Sequence, residues 1–175
     1  MKAFKDTVIR VTGASSGIIA EQTLQSPLVG AKLILSARNK SALEELNQKL
    51  SNAEHHMVLP LDLADSKDFA LLTKQVLERY SNIDYLFNSG GISQRAEAGE
   101  TSLEIDRKIM EVNYFGNIAL TKAVLPIFHQ QKSGHIIVTS SIAGKFGFFL
   151  RSAYAASKHA LHGFYESLML EEEKN

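Results

Sequence analysis

Tyr154 and Lys158, four residues apart, are the pair in this chain best suited to proton chemistry. On a helix that spacing puts both side chains on one face, a single turn apart. An ammonium beside a phenol favours the phenolate, which readies the hydroxyl for proton exchange. Upstream lies Ser140-Ser141-Ile142-Ala143-Gly144, where an apolar run ends. From there the Ser141 hydroxyl could hold a carbonyl or alcohol oxygen against the phenol. Such equipment moves a proton on and off a C–O group. Oxidation or reduction of that group also needs a hydride carrier, and the opening segment offers a place for one.

Residues 7–12 read as a buried strand running into Gly13-Ala14-Ser15-Ser16-Gly17, with a helix predicted to follow. A strand, a glycine turn and a helix N-terminus together make a phosphate cradle, because backbone N–H groups and the helix dipole point at the anion. Further strands are expected at 32–37, 56–61, 84–87 and 135–139. Helices are expected at 40–50, 66–80, from 101 to about 113, 116–131 and 151–171. Ser41 with Glu44 and Thr101 with Glu104 have capping-box spacing. Pro126 should bend its helix. Asn88-Ser89-Gly90-Gly91 closes the fourth strand with a loop that lets backbone approach a ligand. Alternating strands and helices of these lengths predict an α/β fold of βαβ units: a doubly wound, Rossmann-like parallel sheet with helices on both faces. No repeat, linker or low-complexity stretch divides it, so residues 1–175 read as a single domain.

Composition fits that reading. The chain has 175 residues, 45% of them hydrophobic and 22% charged, with zero formal net charge. A polyanion partner such as nucleic acid is not expected. No apolar run reaches the roughly 18 residues of a membrane span, no signal peptide is evident, and a cytoplasmic location is the expectation. With no cysteine, thiolate and disulfide chemistry are excluded. Histidines 55, 56, 129, 135, 159 and 162 form no metal-ligand set, although His159 and His162 share a helix face.

Thr12-Gly13-Ala14-Ser15-Ser16-Gly17, Asp62, Asn88-Ser89-Gly90-Gly91, Asn113, Ser141 and Tyr154-x-x-x-Lys158 stand in a familiar order and spacing. Over nearly its whole length the chain resembles the short-chain dehydrogenase/reductase family. Gly91-Ile92-Ser93-Gln94-Arg95 and Ser157-Lys158-His159-Ala160-Leu161 resemble its steroid- and retinoid-handling branch, in particular the dehydrogenase/reductase member-seven-like group. The resemblance implies an oxidoreductase interconverting a small-molecule carbonyl and an alcohol. Tyr154 would be the general acid or base, Lys158 its tuning partner and a ligand of the nicotinamide ribose. Ser141 would orient the substrate oxygen, and Asn113 would hold a water in the proton relay. Gly13, Ser15, Gly17 and Ile18 would line the pyrophosphate and ribose, Asp62 the adenine edge, and Asn88 the adenosine ribose. Ser16, Leu63 and Gly90 complete the cofactor-binding set. The resemblance also implies pairing of two long helices across a homodimer or homotetramer. Leu120, Val124, Ile127 and Phe128 on one helix, and Ala155, Ala156, Ala160 and Gly163 on the other, would suit core or interface.

Cofactor choice has its own physical argument. An acidic residue ending the second strand meets a ribose 2′-hydroxyl, whereas an arginine accommodates a 2′-phosphate. Here the strand ends Leu35-Ser36-Ala37-Arg38-Asn39, which favours NADP over NAD.

Four features depart from the family pattern. Ile19 stands where a third glycine would let the helix pack on the sheet, Arg10 occupies a central strand, and Pro27 falls inside the first helix. The sequence ends at Glu171-Glu172-Glu173-Lys174-Asn175, before the implied sixth and seventh strands and substrate loop. A C-terminally truncated domain, with an open edge on its fifth strand and weak turnover, is expected. The alternative is a catalytically impaired remnant acting as a nucleotide-binding or assembly module.

Overall fold

Short apolar segments, each bounded by turn residues, build one parallel sheet in a computed structural model that describes residues 4–15 and 30–173. Among the described residues the strands are β1 (Val8–Thr12), β2 (Lys32–Ser36), β3 (Met57–Val58), β4 (Tyr85–Asn88) and β5 (His135–Val138), in the order β3-β2-β1-β4-β5. All neighbours run parallel, with Arg10 opposite Ile34 on one side and Leu86 on the other. The chain steps outward from β1 through β2 to β3, then returns to the far side of β1 for β4. That reversal leaves a crevice beyond the carboxyl ends of β1 and β4, where ligands bind in open α/β sheets.

The described helices are α1 (Lys40–Lys49), α2 (Phe69–Tyr80), α3 (Leu103–Met110), α4 (Gly116–Gln131) and α5 (Ser152–Glu172). A π-helical turn, Glu111–Phe115, joins α3 to α4 without a break. One core cluster packs Val8, Ile34 and Leu86 of the sheet against Phe69 and Val76 of α2 and Leu120, Val124 and Phe128 of α4. On the opposite face Ile9, Val11, Leu33 and Leu35 meet Leu43 and Leu46 of α1. Alternation along β1 and β2 thus feeds two cores, as a central parallel strand requires. Leu120, Val124 and Phe128 are therefore core residues.

Several expectations need correction. Neither capping box forms. Asn39, in extended conformation, accepts from the Ala42 N–H at 3.1 Å, so Ser41 already lies inside α1. Ser102 caps α3 through the Ile105 N–H at 3.4 Å, while Thr101 donates backward to the Glu97 carbonyl. The capping oxygen belongs to the last extended residue before the helix, and in both places that is a neighbour of the residue expected. Residues 66–68 form a turn, and α2 starts at Phe69. Paired β3 is only Met57–Val58, although Leu59 and Leu61 still donate to Leu35 and Ala37 across the gap. At β5, His135 and Ile137 are exposed, and among the described residues the strand pairs with β4 alone. Its free side borders a groove of about 1090 Å³ lined in part by Val138, Phe128 and Leu168.

Arg10 is fully buried. Its Nη1 donates to Thr73 Oγ1 at 2.7 Å, and that hydroxyl donates in turn to the Phe69 carbonyl at 2.6 Å. Nε and Nη2 have no hydrogen-bond partner among the described residues. Burial lowers the guanidinium pKa to about 10. Ser16, Gly17, Ile18, Ile19 and Pro27, all singled out above, lie outside the described residues.

Candidate active site

The crevice at the strand reversal is held by Thr12. Its Oγ1 accepts the N–H groups of Ser89 and Gly90 at 3.0 and 3.1 Å and donates to the Phe87 carbonyl at 3.3 Å. One hydroxyl thereby ties the loop after β1 to the loop after β4. Gly13 follows with φ of +73°, and a Cβ there would stand 2.9 Å from Gly90 Cα. Only glycine lets these two loops touch. Between them lies a cleft of about 490 Å³ lined by Gly13, Ser15, Arg38, Asp62, Leu63 and Gly90, together with Thr12, Ser36 and Gly91.

Six of the expected cofactor residues therefore meet in one cleft. Asp62 also has a local role, since its Oδ1 accepts the Ala64 N–H at 2.9 Å and shapes the turn after β3. Arg38 is exposed at the cleft wall, and among the described residues Asp62 is the one carboxylate that lines the cleft. The glycine contact and a guanidinium on the wall fit a dinucleotide's phosphate and ribose. Asn88 is placed otherwise. It is buried, and its amide donates to Thr121 Oγ1 and Tyr165 Oη, each at 2.9 Å. Its side chain fastens β4 to α4 and α5 rather than lining the cleft.

Helix α5 carries the proposed proton chemistry. Lys158 is buried, its Nζ donates to the Thr139 carbonyl at 2.7 Å, and the ammonium lies 5.7 Å from the Tyr154 ring centre. Desolvation lowers the Lys158 pKa from 10.5 to about 8. Tyr154 is half-buried and shares a cavity of about 310 Å³ with Ser141, Ser93, Ile142, Ala143, Phe148 and Arg151. Ser141, extended at φ −157°, accepts the Ala143 N–H at 3.2 Å and opens the short 3₁₀ turn Ile142–Gly144. Its hydroxyl proton is still available to a ligand. Tyr154 and Ser141 thus face the same space, while Lys158 stands behind the phenol.

Asn113 sits in the π-helical turn, a distortion frequent at functional sites. It is fully buried, accepts the Ile92 N–H at 2.7 Å and donates to the Ile92 carbonyl at 2.8 Å and to Ser157 Oγ at 3.0 Å. Ser157 donates to the Tyr154 carbonyl at 2.7 Å. Both side-chain amide donors of Asn113 are engaged, and its backbone carbonyl accepts from Asn117 Nδ2 at 2.8 Å. The observed part of Asn113 is to bolt the loop after β4 to the turn of α5 that bears Tyr154. Thr12, Gln94 and Ser157 stand in the quoted motifs without an assigned role, and Thr139 was not singled out. Ser157 had a signal, since it lies three residues after Tyr154 and next to Lys158. Thr12 and Thr139 end strands, and Gln94 is a loop polar residue with no spacing to mark it.

Comparison with known proteins agrees with this fold. The chain is 43% identical over 175 residues to dehydrogenase/reductase SDR family member 7B of Mus musculus, covering 97% of this chain and 54% of that protein. It is 44% identical over 171 residues to dehydrogenase/reductase SDR family member 7 of Homo sapiens, covering 95% and 50%. The chain thus spans about half the length of the curated relatives it matches. A metagenomic short-chain oxidoreductase solved in complex with NADP superposes with a TM-score of 0.90 at 29% identity, over 98% of this chain and 79% of that one. Residues 7–175 match the family model for short chain dehydrogenase, and the chain belongs to that family.

Proposed function

We propose that this chain carries the nucleotide-binding and catalytic half of an NADP-dependent oxidoreductase that interconverts a carbonyl and an alcohol. The observation that carries the reading is the shared cavity of Tyr154 and Ser141, with the Lys158 ammonium 5.7 Å behind the phenol ring. When bound, the nicotinamide supplies or accepts the hydride. In reduction the Tyr154 hydroxyl gives its proton to the substrate oxygen, and in oxidation the phenolate takes it back. Ser141 donates a hydrogen bond to the same oxygen and fixes its distance from the phenol. The Lys158 ammonium, held by the Thr139 carbonyl, is the hydrogen-bond donor for the ribose next to the nicotinamide.

Arg38 favours NADP: a guanidinium binds a 2′-phosphate through paired, charge-assisted hydrogen bonds. That one neighbour is named as an NADP complex is consistent with the choice. Asn113 and Asn88 act through the scaffold, by holding α5 and β4 in place. We further propose a homodimer or homotetramer, which sedimentation at micromolar concentration tests: a monomer throughout would refute it.

The direct test is an NADPH fluorescence titration of the protein and of Ile19→Gly, followed by reduction of a panel of aldehydes and ketones. Binding by the unaltered chain, with turnover lost in Tyr154→Phe, is the expected result. Binding that appears only after Ile19→Gly, with no turnover, would instead favour an impaired nucleotide-binding module.

A further inference from the structure

Helix α5 begins without a cap of its own. Arg151 occupies the N-cap position and makes no side-chain capping bond, and the first intrahelical bond runs from the Ala155 N–H to the Arg151 carbonyl at 2.7 Å. The N–H groups of the first turn, Tyr154's among them, therefore need acceptors from elsewhere. Gln94, sixty residues earlier and buried, supplies one: its Oε1 accepts the Tyr154 N–H at 3.3 Å while its Nε2 donates to Ser152 Oγ at 3.3 Å. A single amide spans the first turn, as an N-cap side chain would, but from another part of the chain. Arg151 closes the clasp from the other side, donating through Nη1 to Ser93 Oγ at 2.6 Å and to the Gln94 carbonyl. Ser93, Arg151 and Tyr154 all line the 310 Å³ cavity.

We propose that Gln94 is a positioning residue for Tyr154. It caps the catalytic helix in trans and fixes the depth at which the phenol enters the substrate cavity. Arg151 holds Gln94 in register. The proposal rests on the reading of Tyr154 as the proton-transfer group. Proton transfer is steep in distance, so a helix start that frays by a fraction of an ångström lowers turnover while the nucleotide cleft, built from β1 and β4, stays intact.

Two variants of the whole protein test this. Gln94→Met keeps volume and removes both polar contacts; Gln94→Glu keeps an acceptor for the Tyr154 N–H and suits a helix N-terminus. In Gln94→Met the Tyr154 amide should exchange with solvent about tenfold faster or more, and kcat should fall about 10- to 100-fold, with NADPH affinity unchanged. Gln94→Glu should recover slow exchange and most of kcat. Unchanged Tyr154 exchange in Gln94→Met overturns the proposal, as does a Gln94→Glu variant no better than Gln94→Met. If the unaltered protein binds NADPH but turns over no carbonyl, the reading of Tyr154 fails. Amide exchange then still decides whether Gln94 holds that N–H.

Discussion

The Lys158 ammonium stands 5.7 Å from the centre of the Tyr154 ring, tethered there by a 2.7 Å hydrogen bond to the Thr139 carbonyl. The tether joins the end of β5 to the middle of α5, so the cation cannot drift from the phenol without breaking a bond inside the fold. Tyr154→Phe removes the proton and Lys158→Met removes the field. Each should lower kcat/KM about 10²- to 10⁴-fold, the usual contribution of a placed acid or base. Near-wild-type turnover in Tyr154→Phe, measured by NADPH consumption, would remove the phenol from the mechanism.

Burial gives Lys158 a pKa of about 8, against 10.5 for an ordinary lysine. A base that binds its proton less tightly when folded weakens the fold while it is charged. That penalty is fully present below pH 8, and stability recovers as pH rises from about 8 to 10.5, where the unfolded chain binds more protons. Lys158→Met lacks this dependence. Its stability advantage over the unaltered protein should shrink across that window by about 3 kcal/mol at most. Urea denaturation at pH 7, 9 and 10.5 checks it; a constant difference would mean that Lys158 titrates alike in both states.

Arg10 presents a related imbalance in the core. One of its nitrogens finds Thr73, while Nε and Nη2 are buried without partners among the described residues. A buried charge satisfied on one side costs more than the single bond returns. Arg10→Leu, flanked by Ile34 and Leu86, should therefore raise stability by about 1–4 kcal/mol. Thr73→Ala, which leaves the guanidinium with no partner, should lower it. A drop in Tm for Arg10→Leu would mean that the guanidinium serves a purpose the fold does not reveal.

Arg38 stands exposed on the wall of the nucleotide cleft. Removing its charge should weaken NADPH far more than NADH. Arg38→Asp should raise the NADPH Kd about 10- to 100-fold, the worth of a charge-assisted contact to phosphate, and leave NADH affinity equal or improved. Parallel loss of both cofactors would place Arg38 away from the 2′-position.

The positions of the described strands and helices were legible in the sequence because each rests on local pattern. Branched apolar runs mark strands, a spacing of four marks a helix face, and a glycine turn marks the cleft. What escaped was non-local. Gln94 reaches a helix sixty residues away, and Thr12 bonds the N–H groups of Ser89 and Gly90, contacts that no spacing encodes. Asn88 and Asn113 illustrate a different limit. An asparagine at a strand end or in a helix can serve ligand or scaffold, and only the packed structure shows their amides turned inward. Caps misplaced by one or two residues have the same origin, since the capping oxygen is chosen by backbone conformation rather than by residue type alone.

Gly116, where the π-helical turn becomes α4, offers the strongest test of how the helix layer supports the cleft. A Cβ at Gly116 would lie 2.1 Å from the Leu63 carbonyl oxygen and 2.8 Å from its carbonyl carbon. Both are backbone atoms, so no rotamer change relieves the clash. Leu63 lines the nucleotide cleft, next to Asp62 in the turn after β3. Gly116→Ala must push that turn away from the helix, at a cost of at least about 2 kcal/mol. Because the displaced turn forms one wall of the cleft, NADPH affinity should fall along with Tm. Gly99→Ala, whose Cβ would meet nothing within 4 Å, is the control and should leave both unchanged. A Gly116→Ala protein with the control's Tm and NADPH affinity would mean that α4 and the turn after β3 lie farther apart than the glycine contact requires.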